Sequence, residues 1–335
     1  MPQKIISALL TPFVFLGSWL YIQFYQINIP VKETLMPNVS APAQAHAGKA
    51  EALAAGGGWY VTMDERFEGD TLPELWGTSP HGLRNKEYWC DNMVPRPSDG
   101  TVKILAAALE DNVCDVCPAQ GEFASGIETR KMVDGKRVRT FEQAFGYYEC
   151  RVKVPVNTGL WSAFWLQTDT QSRLGSNGKD GSEIDIFESA FYNDNPRLHG
   201  NAVHWDGYSG KFYRMADRVT DTGVDLYDGD WHTYGLLWTP ENYTFFVDGT
   251  AVWQTNAGGV CRVPAYLRLT VEIRRGEYGP YGARMGDFTN TKENPAVFEI
   301  DYVKVWQHTD FLKSIKSPDD FREFKPPAYM DKYYK

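Results

Sequence analysis

Three carboxylates lie within the six residues EIDIFE, at Glu183, Asp185 and Glu188. The stretch is rich in Ile and Phe and predicts a β-strand, whose side chains alternate between two faces. Glu183 and Asp185 then share one face, and Glu188 points to the other. A β-bulge at residues 186–187 would return Glu188 to the face of the other two acids, because a bulge adds one residue to one strand.

Three acids on one face of a strand would have a chemical use. Like charges repel, so the arrangement is not expected for stability. A retaining glycosidase needs one carboxyl group as nucleophile and a second as proton donor, about 5–5.5 Å apart. The charge of Asp185 between them would help to keep Glu188 protonated. The alternative interpretation is a stray acidic triplet on an exposed strand or helix, and the surrounding sequence decides between the two.

The elements around this motif are short and rich in β-forming residues. From Trp59, such runs alternate with Gly, Asp, Asn and Pro, as in residues 145–155, 242–255 and 298–306. The dipeptide at 248–249, Asp-Gly, predicts a tight hairpin turn. No comparable amphipathic helix pattern precedes residue 309. The sequence therefore predicts one antiparallel β-sandwich domain of about 250 residues.

Composition limits the classes of function. The chain has 335 residues, 43% hydrophobic and 14% aromatic, which is enough for a large core. Its formal net charge of −9 argues against nucleic-acid binding, because phosphate contacts need clustered Lys and Arg. The five cysteines suit an oxidising compartment. They are Cys90, Cys114, Cys117, Cys150 and Cys261.

One cysteine pair forms a CxxC motif at Cys114 and Cys117. A zinc site would need two further ligands, which the sequence alone does not identify. A disulfide bond or another loop staple is therefore the expected role of this motif.

The N-terminal segment predicts export. Residues 5–24 are an uncharged apolar stretch of transmembrane length, preceded by Lys4. Small-residue cleavage sites lie too far beyond it for ordinary signal processing. We expect residues 1–25 to be an uncleaved membrane anchor, with a cleaved signal peptide as the alternative. In both cases the catalytic domain lies outside the membrane, and in the case of an anchor the N-terminus stays inside. Residues 26–58 predict a flexible Ala/Gly/Pro linker, and residues 309–335 a loosely packed tail.

The motif GSEIDIFES, preceded by TGLWSAFWLQT, resembles glycoside hydrolase family 16, in the branch whose active-site strand carries a bulge. FEQAFGYYECRVKVP and FEIDYVKVW are similar to other strands of that family, and the resemblance covers residues 59–307. It implies a concanavalin-like jelly roll of two curved antiparallel sheets, spanning 59–308, with a cleft on the concave face. The expected protein is a monomeric retaining endo-glycosidase, secreted or anchored outside the membrane.

The resemblance also implies catalytic roles. Glu183 is the implied nucleophile, Asp185 the assisting acid and Glu188 the general acid/base. It implies no cofactor for catalysis. It further implies a structural calcium ion at Asp301, since oxygen ligands suit calcium, although an Asp in a terminal strand is more often merely exposed.

Four further residues are expected to contact the sugar. Trp161 and Trp165 share strand parity and offer flat faces for stacking on sugar rings. His204 and Trp205 correspond to the strand beside the catalytic one, where the family often places a polar residue and an aromatic. Core packing of the tryptophans and a structural hydrogen bond of the histidine are the alternative interpretations.

The expected substrate is a polysaccharide, a β-1,3-glucan or a mixed β-1,3/1,4-glucan, because the EIDIFE form most resembles laminarinase-type members. A galactan such as agar or carrageenan is the alternative, since its hydrolases share the bulged motif. A transglycosylase would use the same residues. A non-catalytic glucan-binding module on the same fold would be favoured by loss of an acid, and all three acids are present.

Overall fold

The computed structural model describes residues 57–112, 114, 116–173, 177–207, 214–276 and 278–321. Within these ranges the chain forms 19 strands and four short 3-10 helices. In chain order the strands are β1 (Trp59–Glu65), β2 (Gly77–Thr78), β3 (Gly82–Arg84), β4 (Glu87–Trp89), β5 (Val102–Leu109), β6 (Gly121–Ala124), β7 (Gly126–Glu128), β8 (Arg130–Val133), β9 (Lys136–Arg139), β10 (Gly146–Lys153), β11 (Leu160–Gln167), β12 (Glu183–Ser189), β13 (Leu198–Trp205), β14 (Arg214–Asp221), β15 (His232–Trp238), β16 (Tyr243–Val247), β17 (Thr250–Thr255), β18 (Tyr266–Ile273) and β19 (Ala296–His308). The 3-10 helices are Asp91–Met93, Pro280–Gly282, Thr309–Ser314 and Pro318–Phe321.

Two large sheets make the fold. Ten strands form one sheet in the order β17-β16-β15-β10-β19-β5-β6-β4-β3, with β1 paired to β19. Seven strands form the other, in the order β14-β13-β12-β11-β18-β7-β2. Their strand pairs are antiparallel except β4 with β6, which run parallel, and β8 and β9 form a separate hairpin. The predicted all-β jelly roll is confirmed.

The space between the sheets is filled by apolar side chains that also fix the acid-bearing strand. Ile184 and Phe187 of β12 and Phe164 of β11 belong to the main core cluster. The Phe187 ring lies 4.0 Å, between centroids, from Tyr234 of the opposite sheet. Aromatic burial of this kind dominates core energetics. One face of β12 is thus anchored in the core, which leaves the other face for chemistry.

The ends of the chain bear on the predicted domain organisation. The predicted anchor and nearly all of the predicted linker lie outside the described residues, as do residues 322–335. In the part of the chain that is described, no helix has the length and apolarity needed to cross a membrane. The first part of the predicted tail packs more closely than expected, because Phe311, Ile315 and Phe321 lie against the core cluster. The domain boundaries stay predictions.

Candidate active site

A β-bulge interrupts the acid-bearing strand where the sequence predicts one. On the β11 side, Phe187 pairs with Phe164 and Asp185 with Trp165, which leaves Ile186 as the extra residue. On the β13 side, the register shifts between Asp185 and Glu188. Ile186 and Phe187 both point into the core cluster. The predicted bulge at residues 186–187 is confirmed, and its inserted residue with respect to β11 is Ile186.

The bulge gathers the three acids on the face away from the core. Glu183, Asp185 and Glu188 are 8%, 4% and 5% exposed, so all three are largely removed from solvent. Together they line one side of a cleft. This cleft continues into a cavity of about 660 Å³ that Glu183 and Glu188 also line. The two predicted catalytic glutamates therefore face the same space.

The carboxylate of Glu183 is oriented by an amide on the neighbouring strand. Gln167 Nε2 donates a hydrogen bond to Glu183 Oε2 at 3.1 Å. The other end of that amide is fixed, because Gln167 Oε1 accepts from the Tyr266 hydroxyl at 2.6 Å and from Arg268 Nη1 at 3.2 Å. With both ends of the amide engaged, the donor stays aimed at Glu183.

Asp185 pairs with a histidine. His204 Nε2 lies 2.9 Å from Asp185 Oδ2 and 3.9 Å from Glu183 Oε1. Burial alone would lower the pKa of His204, but the hydrogen bond and charge of Asp185 and the charges of the two glutamates outweigh it and raise this pKa to about 9. At neutral pH the imidazole is therefore positively charged. Asp185 therefore has a positively charged imidazolium as its close partner.

Glu188 has the environment of a proton donor. Burial, and next the charge of Asp185, raise its pKa well above the usual value for a glutamate. The Tyr281 hydroxyl donates to Glu188 Oε2, and this bond opposes part of the rise. A raised pKa favours the protonated form that a general acid requires.

Tyr281 reaches Glu188 because of its unusual backbone and a glycine opposite. Tyr281 has φ of 57°, in the left-handed region, within the loop sequence GPYG. Gly200 pairs with Glu188 across β12 and β13. A Cβ atom on Gly200 would lie 2.6 Å from Tyr281 Cε2. Only glycine therefore leaves room for the tyrosine ring over the acid.

The two predicted sugar-binding tryptophans both lie on the cleft face. Trp161 and Trp165 line the cleft beside the acids, and Phe164 and Leu166 between and after them are in the core. Each indole makes a cation–π contact: the guanidinium of Arg274 lies 5.0 Å from the centre of the Trp161 ring, and that of Arg268 lies 4.1 Å from the centre of the Trp165 ring. Trp161 is half-buried and Trp165 buried, so Trp161 is the better placed of the two for stacking.

Trp205 lies elsewhere than predicted, and the predicted calcium site at Asp301 stays a prediction. His204 lines the cleft, but Trp205, the next residue along the strand, points to the opposite face and lies in the core cluster. Because neighbouring residues of a strand point to opposite faces, His204 and Trp205 do not both face the substrate. The prediction that Trp205 contacts the sugar is therefore wrong, and Trp205 is a packing residue. Asp301 is ion-paired with Arg151 at 2.6 Å. Among the described residues, no cluster of His, Cys, Asp and Glu side chains that could hold a metal ion includes Asp301, and the calcium site stays a prediction.

The opposite wall of the cleft is built from residues that the sequence analysis missed. Glu272 of β18 is 5% exposed and accepts from Arg84 Nε at 2.9 Å and from Asn85 Nδ2 at 2.5 Å. Arg84 and Asn85 belong to the β3–β4 hairpin of the larger sheet, so both sheets contribute to the cleft. Ion pairing of this buried carboxylate ties the hairpin to β18.

Strand parity could have found several of the missed residues. Gln167 shares the parity of Trp161 and Trp165 in TGLWSAFWLQT. Arg268 and Glu272 alternate with apolar residues in YLRLTVEI. No pattern places Tyr281, because its position depends on a loop conformation.

The acids and histidine of the site can be considered as a metal site. Ligand atoms of Glu183, Asp185 and His204 lie within 4.8 Å of one another. A metal ion would need the neutral imidazole of His204, whereas the surrounding carboxylates raise the pKa of this residue to about 9. As described, the cluster is an ion-paired set of acids with a charged histidine.

Paired carboxyl groups in a cleft, one of them with a raised pKa, are the arrangement that a glycoside hydrolase uses. Residues 122–274 match the family described as Glycosyl hydrolases family 16. A β-glucanase of Rhodothermus marinus is 26% identical over 267 residues, covering 74% of this chain and 85% of the relative. A glucan endo-1,3-β-glucosidase of Cryptopygus antarcticus is 25% identical over 269 residues, covering 75% and 93%.

Solved structures share the fold. The catalytic domain of an endo-1,3-β-glucanase (laminarinase) from Thermotoga petrophila RKU-1 is 21% identical, with a TM-score of 0.57 over 75% of this chain and 98% of that one. Porphyranase B from Zobellia galactanivorans is 22% identical, with a TM-score of 0.57 over 81% and 97%. The family match, the curated relatives and the shared fold together support the assignment to glycoside hydrolase family 16.

Proposed function

We propose that this protein is a retaining endo-hydrolase of β-glucan, acting on β-1,3 or mixed β-1,3/1,4 linkages. The observation that carries the proposal is the bulge in β12, which sets Glu183 and Glu188 on one cleft face with Asp185 between them. The names of the relatives support the choice of substrate, since a β-glucanase and a glucan endo-1,3-β-glucosidase each match about three quarters of this chain.

In the first step, Glu188 gives its proton to the glycosidic oxygen while Glu183 attacks the anomeric carbon. The bond to the leaving oxygen breaks, and an ester forms between the sugar and Glu183. Burial and the charge of Asp185 prepare Glu188 for this step by raising its pKa. The hydrogen bond from Gln167 keeps the Glu183 carboxylate oriented toward the cleft.

In the second step, the Glu188 carboxylate takes a proton from water, and the oxygen of that water attacks the anomeric carbon. The ester to Glu183 breaks, and two inversions give net retention. His204 stays positively charged beside Asp185 and offsets part of the negative charge of that carboxylate. Trp161 offers the sugar an apolar face.

The test is digestion of laminarin, lichenan, agarose and carrageenan, followed by sizing of the products and by proton NMR of the newly formed anomeric centre. We expect internal cleavage of laminarin or lichenan, with the β-anomer formed first. Glu183→Gln is the matched inactive control, since it keeps the size of the side chain. Cleavage of agarose or carrageenan alone would refute the substrate proposal, and an initial α-anomer would refute the retaining mechanism. Larger products than the starting chains would indicate transglycosylation.

We also propose that residues 1–25 anchor the enzyme in a membrane with the catalytic domain outside. The uncharged apolar stretch at 5–24 after Lys4 supports this. Cell fractionation of the full chain should place it in the membrane fraction, and external protease should remove the domain. A variant lacking residues 1–25 should be soluble. Recovery of a shortened chain in the medium would indicate a cleaved signal instead.

A further inference from the structure

Three cysteine sulfurs converge on the outer side of the β3–β4 hairpin. Cys90 follows β4 and is completely buried, and Cys114 and Cys117 lie in the loop between β5 and β6. The three sulfur atoms all lie within 4.8 Å of one another, and all three cysteines are free thiols. The predicted disulfide is not present in the structure, and one disulfide would in any case use only two of the three sulfurs.

A histidine lies beside one of these three cysteines. His81, immediately before β3, places Nδ1 at 4.0 Å from Cys114 Sγ. Its other ring nitrogen, Nε2, lies 3.6 Å from Asp91 Oδ2. A carboxylate behind the second nitrogen of a histidine is the usual support for a metal-binding imidazole. The sequence alone showed only the CxxC pair, because the other two residues come from different segments.

The geometry points to a structural zinc site in which Cys90, Cys114, Cys117 and His81 bind one Zn²⁺. Three thiolates and one imidazole form a common tetrahedral donor set for zinc. With zinc–sulfur bonds of about 2.3 Å, tetrahedral geometry puts the sulfurs about 3.8 Å apart, so the three sulfurs need only small movements from the present arrangement. His81 lies near Cys114 alone of the three, so its ring has to turn toward the metal. Binding releases the three thiol protons and involves no redox step.

The local backbone is suited to such a site. The Cys117 amide donates to the Cys114 carbonyl at 3.3 Å, which forms a tight turn between these two cysteines. The Cys90 amide donates to the Ala124 carbonyl at 3.2 Å, which ties this residue to β6. Asn112 closes the loop, because its backbone N–H donates a hydrogen bond to the Ala119 carbonyl at 2.8 Å.

The role of the zinc is to hold the hairpin that forms one cleft wall. β3 and β4 are three residues each, and β4 is joined to the sheet through two residue pairs with β6. Arg84 and Asn85 of this hairpin reach across to Glu272 in the cleft. A metal that joins residues 81, 90, 114 and 117 fixes both ends of the hairpin to the adjoining loop.

The test is metal analysis of the full chain purified under reducing conditions with zinc present. We expect about one zinc per chain, released by a mercurial reagent that blocks thiols. Cys114→Ser and Cys117→Ser should abolish stoichiometric zinc, and His81→Ala should weaken it. Cys261→Ala is the matched control, because Cys261 is a buried thiol outside the cluster and its loss should leave zinc unchanged. Absence of zinc, or a peptide map with a disulfide within the cluster, would overturn the proposal.

Two further measurements test the ligands and the role. Cobalt(II) added to the metal-free chain should give the intense absorption of tetrahedral thiolate coordination, and a weak octahedral spectrum would contradict the ligand set. Removal of zinc should speed hydrogen exchange at residues 82–89 and leave β12 unchanged. Unchanged exchange at 82–89 would overturn the role of zinc in holding the hairpin.

Discussion

Glu183 and Glu188 carry the same functional group in different surroundings. Glu183 receives a hydrogen bond from the Gln167 amide, and the charged His204 lies 3.9 Å from it. Burial, and next the charge of Asp185, raise the pKa of Glu188 well above its usual value. Pairs of carboxyl groups whose surroundings separate their protonation states are the usual basis of acid and nucleophile roles.

Azide can distinguish the two roles in variants that lack one glutamate. With an aryl β-oligoglucoside that has a good leaving group, Glu183→Ala and azide should give an inverted glycosyl azide, because azide takes the place of the nucleophile. Glu188→Ala and azide should give a retained product, because Glu183 still forms the ester. NMR of the isolated azides checks both. The opposite stereochemistry would mean that the two roles are reversed.

Tyr281 tunes Glu188. Its hydroxyl donates to Glu188, and this bond lowers the pKa of the acid. Tyr281→Phe should therefore raise that pKa and move the alkaline limb of the kcat/KM profile to higher pH. This hydrogen bond also stabilises the carboxylate that forms as Glu188 gives up its proton, so its loss should reduce kcat about tenfold.

The control for Tyr281→Phe is Tyr278→Phe, at an exposed tyrosine that also lines the cleft. This variant should keep the wild-type pH profile. An alkaline limb that does not move in Tyr281→Phe would contradict the role given to this hydroxyl.

At the scale of the strand, the bulge is what makes the site. Asn201 lies opposite it and donates through Nδ2 to the Ile186 carbonyl at 2.7 Å, which satisfies a group that the bulge removes from the regular ladder. The odd spacing of Glu188 from Glu183 and Asp185 predicts that a bulge is needed to bring all three acids to one face. The residue that is inserted depends on pairing with both neighbouring strands, and that pairing is not visible in one sequence.

Deletions in β12 test the bulge. Removing Ile186 should keep Glu188 on the cleft face and Phe187 in the core, with activity reduced about 10²-fold by misplacement. Removing Phe187 gives the same parity but loses its ring contact with Tyr234, so this variant should have the lower melting temperature. Removing Ile184 moves Glu183 to the wrong face and should abolish activity.

Activity and thermal melting of the three deletion variants decide the matter. If loss of Ile186 is as harmful to activity as loss of Ile184, the bulge is not what aligns the acids.

At the scale of the whole molecule, the stability of the cleft wall depends on pH. Glu87 of β4 is completely buried. Burial, and next the charge of Glu272, raise the pKa of Glu87 from 4.5 to about 7. The folded state therefore holds this proton more tightly than the unfolded state. The stability linked to it is present below pH 4.5 and is lost as the pH rises through about 7.

Glu87→Gln should remove this dependence. Relative to wild type, the variant should gain about 3 kcal/mol of unfolding free energy on going from pH 4 to pH 8, because a pKa unit corresponds to about 1.4 kcal/mol. Urea denaturation at both pH values measures it. Glu68→Gln, at an exposed acid, is the control and should follow the wild type. Equal pH dependence in Glu87→Gln and wild type would contradict the prediction.

The β-sandwich, the position of the three acids and the face of Trp161 and Trp165 could be predicted from the sequence. The alternation of side chains along a strand and the residues of a turn are local signals, which one sequence contains. Trp205 shows the limit, since the same alternation that puts His204 in the cleft puts Trp205 in the core. The hairpin that carries Arg84 meets Glu272 across 188 positions of sequence. Contacts of that range depend on tertiary packing, which one sequence does not reveal.

Gly200 has a consequence for the evolutionary record of this site. It contributes no functional group, yet its missing side chain is the space in which the Tyr281 ring lies over Glu188. The two positions are therefore expected to covary. Relatives with a larger residue at the position of Gly200 should lack an aromatic ring at that of Tyr281, and their acid should be held by another donor. In this lineage a glycine and a tyrosine 81 positions apart would be inherited as a single trait.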